Sequence, residues 1–249
     1  MTKKIVKRGV TDLITPGVSL NDEILTSKKN NFLAAINVLD DQFGLSLLDV
    51  STGDFFLSRG SLNYILNLMK NFEPKEILIS RKDLKFLSDT NIDKSFFFYV
   101  DDWMLNFNTA LKNIYDHFNV KSVKGFGIDK NNIGLISASM ILFYLKESHQ
   151  KKLSHVNKLI EINITSSLMM DRFTISNLEI LHSKNEGGKS LIEIIDRTKT
   201  AMGSRLLRRW LCFPSIDINE INKRYSIVDE LKENYINNEE FVSQFNSIS

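Results

Sequence analysis

Short apolar stretches separated by tight polar turns dominate the pattern of residues 31–60. Phe32–Val38, Gly44–Val50 and Gly53–Ser58 are separated by short segments that contain an Asp-Asp pair and a Ser-Thr-Gly turn. Connections this short join neighbouring antiparallel strands. The pattern therefore predicts a three-stranded meander.

Helical spacing follows the meander and then gives way to strand-like runs. Apolar residues recur at steps of three and four from Leu62 to Phe72, and Pro74 ends that segment. Glu76–Ser80 and Phe96–Val100 are nearly continuous apolar runs, which is typical of strands buried on both faces. We expect the phenylalanines of the second run to belong to the core.

Three further helices are predicted before residue 150. Lys82–Ser88 has the pattern of a short helix, and Asp101–Phe118 that of a longer one with Trp103 facing inward. Asn131–Leu145 is apolar on too many faces for a surface helix, so we expect it to be buried. A meander that feeds β-α units predicts an α/β domain with a mixed sheet and covering helices.

Polar residues from Lys146 to Lys158 follow, and beyond them the strand signals largely vanish. We place a domain boundary near residue 150 and expect an all-α part after it. Helical spacing recurs in five segments: Phe173–His182, Ser190–Asp196, Met202–Cys212, Asp217–Glu233 and Glu239–Ile248. The last of them has no evident partner helix, which indicates a truncated domain.

Composition is that of an ordinary globular protein. The 249 residues are 43% hydrophobic and 25% charged, with 32 Lys and Arg against 30 Asp and Glu. Disordered and fibrous classes are excluded, and the charge balance argues against broad neutralisation of phosphates. The single Cys212 excludes an intramolecular disulfide, which favours a reducing, cytoplasmic setting. No apolar run approaches the length of a membrane span.

One glycine-rich segment partly matches the sequence pattern of a phosphate-binding loop. Gly187-Gly188-Lys189-Ser190 ends like a P-loop, but Ser183 stands where the first glycine is required. The preceding segment is also helical in pattern, whereas a P-loop follows a strand. We interpret the segment as a turn between helices with Ser190 as the N-cap.

Acidic residues of the α/β part allow a second interpretation. Magnesium-dependent nucleases gather carboxylates around two metal ions, and the candidates for such a site are Asp49, Glu76 and Asp129. Asp49 and Asp54 also flank a turn, where aspartate commonly bonds backbone amides, and Asp101 is placed to cap a helix. We favour these structural roles and keep the nuclease as the alternative.

A basic cluster marks the second part of the chain. Arg205, Arg208 and Arg209 share one helix face, and Arg197 and Lys199 precede them. Contact with DNA phosphates is one hypothesis, and it predicts an affinity that falls with rising salt. Pairing with carboxylates within the protein is favoured. The four histidines are not spaced in the sequence as metal ligands are, and no histidine lies near Cys212 in the sequence to activate its thiol.

Several of these segments resemble one family. Asp196–Leu211, which reads DRTKTAMGSRLLRRWL, closely resembles the start of the core or lever domain of the MutS family of bacterial mismatch-repair sensors. Val10–Gly17 resembles the segment that leaves the mismatch-recognition domain of that family. Asn31–Ile36, Leu48–Phe55 and Tyr144–Glu147 resemble its connector domain. The resemblance extends from about Lys7 to Leu231.

The resemblance implies a domain organisation and a set of partners. Residues 1–20 would be a linker leaving an absent mismatch-recognition domain, 21–150 an RNase H-like connector domain, and 151–249 the truncated helical start of the core domain. The parent would be a cytoplasmic, nucleoid-associated homodimer that binds mismatched DNA, uses ATP and magnesium, and recruits MutL through the connector. No membrane partner is implied.

Departures from the family pattern limit what this segment itself is expected to do. The family reads mismatches with a Phe-x-Glu motif, and none of the seventeen phenylalanines is followed two residues later by glutamate. The P-loop of the family ATPase is also missing. We therefore expect no catalytic, metal or cofactor site in this segment. We expect it instead to be an allosteric and protein-interaction module whose two parts rotate about the polar segment at Lys146–Lys158.

Overall fold

The structure, a computed structural model, describes residues 31–88, 90, 92–148, 153–162, 168, 170 and 172–233. Among these residues the chain divides into two compact units. The first unit contains residues 31–60 and 74–160, and the second contains residues 61–73 and those from 161 onward. The predicted linker 1–20, part of the polar segment at 149–152 and the predicted helix Glu239–Ile248 lie outside the described residues.

A six-stranded mixed sheet forms the centre of the first unit, in the order β5-β4-β1-β2-β3-β6. The strands are β1 Phe32–Leu39, β2 Gln42–Asp49, β3 Asp54–Gly60, β4 Glu76–Ser80, β5 Phe97–Val100 and β6 Leu159–Glu161. β1, β2 and β3 pair antiparallel, whereas β4 runs parallel to β1 and β5 parallel to β4. The predicted meander and the mixed sheet are confirmed.

The β1–β2 turn is made possible by two aspartates in the left-handed region. Asp40 and Asp41 have φ angles of 49° and 59°, and the residues on either side, Leu39 and Gln42, are paired. A two-residue turn with positive φ at both positions matches the right-handed twist of the strands it joins. Aspartate tolerates this conformation better than most residues because its short side chain bonds locally.

Two helices cover one face of the sheet, α2 Phe107–Phe118 and α3 Gly134–Glu147. The start of α3 lies so close to the sheet that a Cβ at Gly44 would lie 2.8 Å from the Ile133 carbonyl oxygen. A Cβ at Gly134 would lie equally close, 2.8 Å, to the carbonyl oxygen of Ser58. Between the helices, the Asn113 amide donates to the Ser139 hydroxyl at 3.0 Å. As predicted, α3 is buried almost all round.

The predicted single helix over Asp101–Phe118 is wrong in its first third. A short 3-10 turn occupies Asp102–Leu105, and α2 begins only at Phe107. The break falls at Asn106, whose side-chain oxygen accepts a hydrogen bond from the Thr109 amide at 3.0 Å. This is an N-cap, which starts a new helix at that point. Asp101 stands before the 3-10 turn but makes no side-chain capping bond.

The described residues after α3 belong to the first unit up to Ile160. The His155 Nε2 lies 2.6 Å from the Val50 carbonyl oxygen, and the His117 Nε2 lies 3.0 Å from that of Val156. Burial holds the pKa of His117 below its ordinary value, so the neutral ring is the form that donates. β6 then adds to the sheet, which contradicts the expected absence of strands after residue 150.

The second unit is helical. Its helices are α1 Leu62–Phe72, α4 Arg172–Asn177, α5 Leu191–Ile195, α6 Ala201–Cys212 and α7 Ile218–Glu233. A small apolar cluster joins Met170, Ile175, Ile180, Leu181, Ile192 and Cys212. The predicted helix Phe173–His182 ends early because Glu179 adopts the left-handed region, with φ 49°. α6 and α7 are close to the predicted segments, but α7 has no buried residue.

Candidate functional site

The three carboxylates of the nuclease alternative do not come together. Asp49 and Asp54 are cross-strand neighbours at one end of the β2–β3 ladder. A carboxylate oxygen of Asp129 instead lies 3.9 Å from the guanidinium of Arg59, which is five residues beyond Asp54 along β3. Five residues of strand span about 17 Å. Among the described residues, no group of three His, Cys, Asp or Glu side chains is able to hold a metal ion. The structure gives no support to a nuclease.

Each of these carboxylates instead has a hydrogen-bonding role. Asp49, which is fully buried, accepts hydrogen bonds from the amides of Asn31 at 3.3 Å and Ser51 at 2.9 Å, and from the Ser51 hydroxyl at 2.6 Å. The Tyr144 hydroxyl donates to Glu76 at 2.6 Å, and the Asn131 amide donates to Asp129 at 3.0 Å. The structural roles predicted for Asp49 and the β2–β3 turn are confirmed.

Replacing Asp49 with alanine is expected to lower the free energy of unfolding by about 1–3 kcal/mol, because the buried amide of Asn31 and the turn donors of Ser51 lose their acceptor. Urea titration followed by circular dichroism measures this loss. Asp116→Ala makes the same chemical change at an exposed position of α2 and is expected to change stability by less than about 0.5 kcal/mol. Cleavage of branched DNA with magnesium, lost in Asp49→Asn, would contradict the structural assignment.

The Gly-Lys-Ser segment forms the predicted turn between helices. The Glu193 carboxylate accepts hydrogen bonds from the Ser190 amide at 2.7 Å and the Ser190 hydroxyl at 2.9 Å. The first amides of α5, those of Leu191 and Ile192, donate to the carbonyl oxygens of Glu179 and Ile180 at 2.9 and 3.0 Å. These amides are therefore engaged by the backbone, whereas a phosphate loop presents its amides to the ligand. Ser190 is confirmed as the N-cap.

The three arginines proposed for DNA contact are half-buried on α6: Arg205, Arg208 and Arg209. A neighbouring arginine, Arg224, pairs with Glu220 and lies over the ring of Trp210 at 4.0 Å from its centroid. A hydrogen bond from Ser215, aided by Arg224 and by the charge of Arg209, lowers the pKa of Glu220. Carboxylate pairing thus occurs beside the cluster, and DNA contact by Arg205, Arg208 and Arg209 stays a prediction.

Cys212 is a buried residue of the second unit rather than a nucleophile. Burial raises the pKa of its thiol to about 11. The reactive form of cysteine is the thiolate, so a thiol with this pKa is almost entirely unreactive near neutral pH.

Among the described helices, none has both the length and the apolar character needed to cross a membrane.

Exposed aromatic side chains gather at the β5 edge of the sheet. Phe96, Phe98, Tyr99 and Trp103 are between 39% and 49% exposed, and we call them the aromatic edge. The prediction that Phe96–Val100 forms core and that Trp103 faces inward is wrong, since only Val100 of these residues is buried. β5 ends the sheet on this side, so one side of the strand is not covered by a neighbouring strand.

Ring contacts hold the aromatic edge in place. Trp103 meets Phe143 edge-on with centroids 4.9 Å apart, and Phe98 meets Tyr144 at 4.8 Å. Phe143 and Tyr144 both belong to α3, so Phe98 and Trp103 are both anchored on the same helix. On Tyr99, the Arg81 guanidinium lies 5.0 Å from the ring centroid. Large aromatic side chains that are fixed in position yet accessible are typical of protein-binding hot spots.

The composition of the run concealed the aromatic edge. FFFYV has no polar alternation, so the pattern favours a strand buried on both faces. A topological signal was available, because β5 is the last strand before a long helical stretch and was therefore a candidate for the edge of the sheet. Burial depends on the place of a strand in the sheet as well as on its residues.

Family comparison supplies the identity that the geometry leaves open. Residues 31–157 match the family model of MutS domain II, and residues 173–249 match that of MutS domain III. The first match alone spans more than half of the chain. This chain belongs to the MutS family. The two matched segments follow each other in the order that the sequence resemblance implies.

Curated MutS proteins match across nearly the whole chain. The DNA mismatch repair protein MutS of Flavobacterium johnsoniae is 44% identical over 234 residues, which is 94% of this chain and 27% of that protein. The protein of the same name from Parabacteroides distasonis is 42% identical over 229 residues, 92% of this chain and 26% of that protein. The chain thus spans about a quarter of the length of these MutS relatives.

Proposed function

We propose that this chain is the connector and early core region of a DNA mismatch repair MutS, and that it works as an allosteric and protein-interaction module. In this proposal it carries neither the mismatch reader nor the ATPase. Its membership of the MutS family and its match to about a quarter of the relatives' length support a role as one region of a larger protein. Mismatched DNA, a second MutS subunit, ATP and magnesium are proposed for the parent, which would act in the cytoplasm at the nucleoid.

We further propose that residues 21–150 form an RNase H-like connector domain and that residues 151–249 begin the core domain. The sheet supports the first assignment, because an antiparallel β1–β2–β3 meander continues through β1 into the parallel strands β4 and β5. The separation of Asp49 and Asp129 fits a domain that keeps this architecture without nuclease chemistry. Helices α4 to α7 support the second assignment.

MutL is the partner that we propose for the first unit. The aromatic edge is the observation that carries this proposal, since Phe98 and Trp103 are large, exposed and rigidly held by α3. Burial of such rings provides most of the affinity at many protein interfaces. The open side of β5 adds backbone groups that a partner strand is able to pair with.

Calorimetric titration of the chain with purified MutL tests this role. Saturable binding to the folded chain is the expected result. A negative heat-capacity change should accompany it, because apolar rings leave water on binding. Folding is checked by circular dichroism on the same sample. Absence of binding by folded chain at micromolar to millimolar concentrations would contradict MutL as the partner of this region.

A further inference from the structure

An exposed lysine of the first unit is held in one orientation by two buried residues. Lys146 lies in the last turn of α3, and its ammonium donates a hydrogen bond to the side-chain oxygen of Asn113 on α2 at 2.6 Å. The side-chain nitrogen of Asn113 donates to the Ser139 hydroxyl at 3.0 Å and to the Ser139 carbonyl oxygen at 3.3 Å. Because these bonds hold the nitrogen end of the amide against α3, the oxygen end faces Lys146.

This arrangement prepares the lysine for binding. Asn113 and Ser139 are 5% and 0% exposed, whereas Lys146 is exposed. A lysine side chain at a protein surface ordinarily adopts many rotamers, and ordering it on binding costs free energy. Here the bond to Asn113 orders the side chain before any partner arrives. The ammonium of Lys146 is therefore a pre-organised positive charge.

The charge of Lys146 has no internal counter-ion in the part of the chain that the structure describes. No Asp or Glu of those residues forms an ion pair with it. Glu147 lies on a different side of the helix, because successive helical residues are turned by about 100°. Burial, aided by the charge of Lys146, lowers the pKa of His117, so this neighbour is neutral near pH 7. An ammonium has three N–H donors, and the bond to Asn113 uses one of them.

The same ammonium lies beside the ring that supports Trp103. The Lys146 Nζ is 6.0 Å from the centroid of the Phe143 ring, and the Trp103 centroid is 4.9 Å from that of Phe143. About four extended residues are enough to reach from Trp103 to Lys146. A single segment of a partner is therefore long enough to contact both the apolar ring and the positive charge.

We propose that Lys146 binds a carboxylate of the protein that covers the aromatic edge. The partner segment then combines an apolar side chain against Trp103 with an aspartate or glutamate against Lys146. Carboxylates are the anionic side chains that a protein offers, and the adjacent rings exclude water, which strengthens the attraction between the charges. This inference rests on the MutL role proposed above, and it specifies the chemistry of the MutL segment.

Calorimetric titration of Lys146→Gln with MutL tests the pairing. The variant keeps a polar side chain of good helix propensity but loses the charge, and we expect MutL affinity to fall about three- to tenfold at about 50 mM salt. At about 500 mM salt the difference from wild type is expected to shrink to less than about twofold, because salt screens an exposed ion pair. Lys130→Gln is the matched control, since Lys130 is exposed and precedes the opposite end of α3, and we expect its affinity to stay within about 1.5-fold of wild type.

Carbodiimide cross-linking tests the contact itself, because this reagent joins a lysine amine to a neighbouring carboxylate as an amide. In the complex of the wild-type chain with MutL, we expect mass spectrometry to find Lys146 joined to an aspartate or glutamate of MutL. Lys146→Arg keeps the positive charge but has no amine to couple. We expect this variant to keep MutL affinity within about threefold and to lose the cross-link.

The outcomes separate this proposal from the wider MutL role. Circular dichroism confirms that each variant is folded. Equal MutL affinity of wild type and folded Lys146→Gln, or a difference that does not shrink at high salt, would overturn the carboxylate pairing while MutL remained the partner. Absence of MutL binding by the folded wild-type chain would overturn the pairing and the MutL role together.

Discussion

Replacing Phe55 with alanine is expected to lower the free energy of unfolding of the first unit by about 3–5 kcal/mol. Phe55 lies on β3, is completely buried, and packs with Phe118 of α2 at a centroid distance of 6.5 Å. The substitution removes the apolar contacts of a whole ring and leaves a cavity between sheet and helices. A loss of this size is a large part of the stability of a typical domain.

Trp103 allows this loss to be measured on the first unit alone. The protein has two tryptophans, Trp103 in the first unit and Trp210 in the second, so the urea titration is run in a Trp210→Phe background. Phe96→Ala is the control, because this ring is 41% exposed and its removal should cost less than about 1 kcal/mol. A loss below about 1 kcal/mol for Phe55→Ala would contradict the position of the core.

The sequence pattern was sufficient to predict those elements that are determined by their own residues and by the residues next to them in the chain. The limits of β4, Glu76–Ser80, agree with the prediction because Pro74 and the polar residues that follow delimit a short apolar run. α3 was predicted as a buried helix because its apolar residues cover nearly the whole circumference. Ser190 was recognised as a cap from its residue type and position alone.

Elements that depend on distant contacts were not predictable in this way. β6 has only three residues, and the bonds of His155 and His117 to backbone carbonyls hold the segment that leads into it. α1 is grouped with the second unit, and one of its contacts there, the stack of Phe72 on Phe213, joins residues more than 140 positions apart in the sequence. Periodicity predicts which face of a helix is buried but not which part of the protein covers it.

The candidate sites show the same division. Acidic residues near strand ends suggested both a metal site and local hydrogen bonding, and only the register of β2 with β3 shows that Asp49 and Asp129 are far apart. The aromatic edge was hidden for the opposite reason, because its residues look like core and its exposure follows from the order of the strands. Clusters of acidic residues and apolar runs in a sequence thus do not show which side chains meet or which are exposed until the order of the strands is known.

Replacing Trp103 with alanine is expected to weaken the proposed binding of MutL by about 30-fold or more. Truncating a central aromatic residue of an interface commonly costs at least about 2 kcal/mol, and each ~1.4 kcal/mol corresponds to a factor of ten in affinity. Trp103 is 49% exposed while its ring is held edge-on against Phe143, so little ordering of the side chain opposes binding. Isothermal titration calorimetry measures the change.

Two comparisons separate a binding role from a general loss of structure. Phe173→Ala removes an aromatic ring that is 75% exposed in the second unit, and it is expected to leave MutL affinity within about twofold of wild type. Phe98→Ala removes another ring of the aromatic edge and is expected to weaken binding as Trp103→Ala does, because both rings are exposed and both are held against α3. Equal MutL affinity for wild type, Trp103→Ala and Phe98→Ala would place the binding surface elsewhere on the chain.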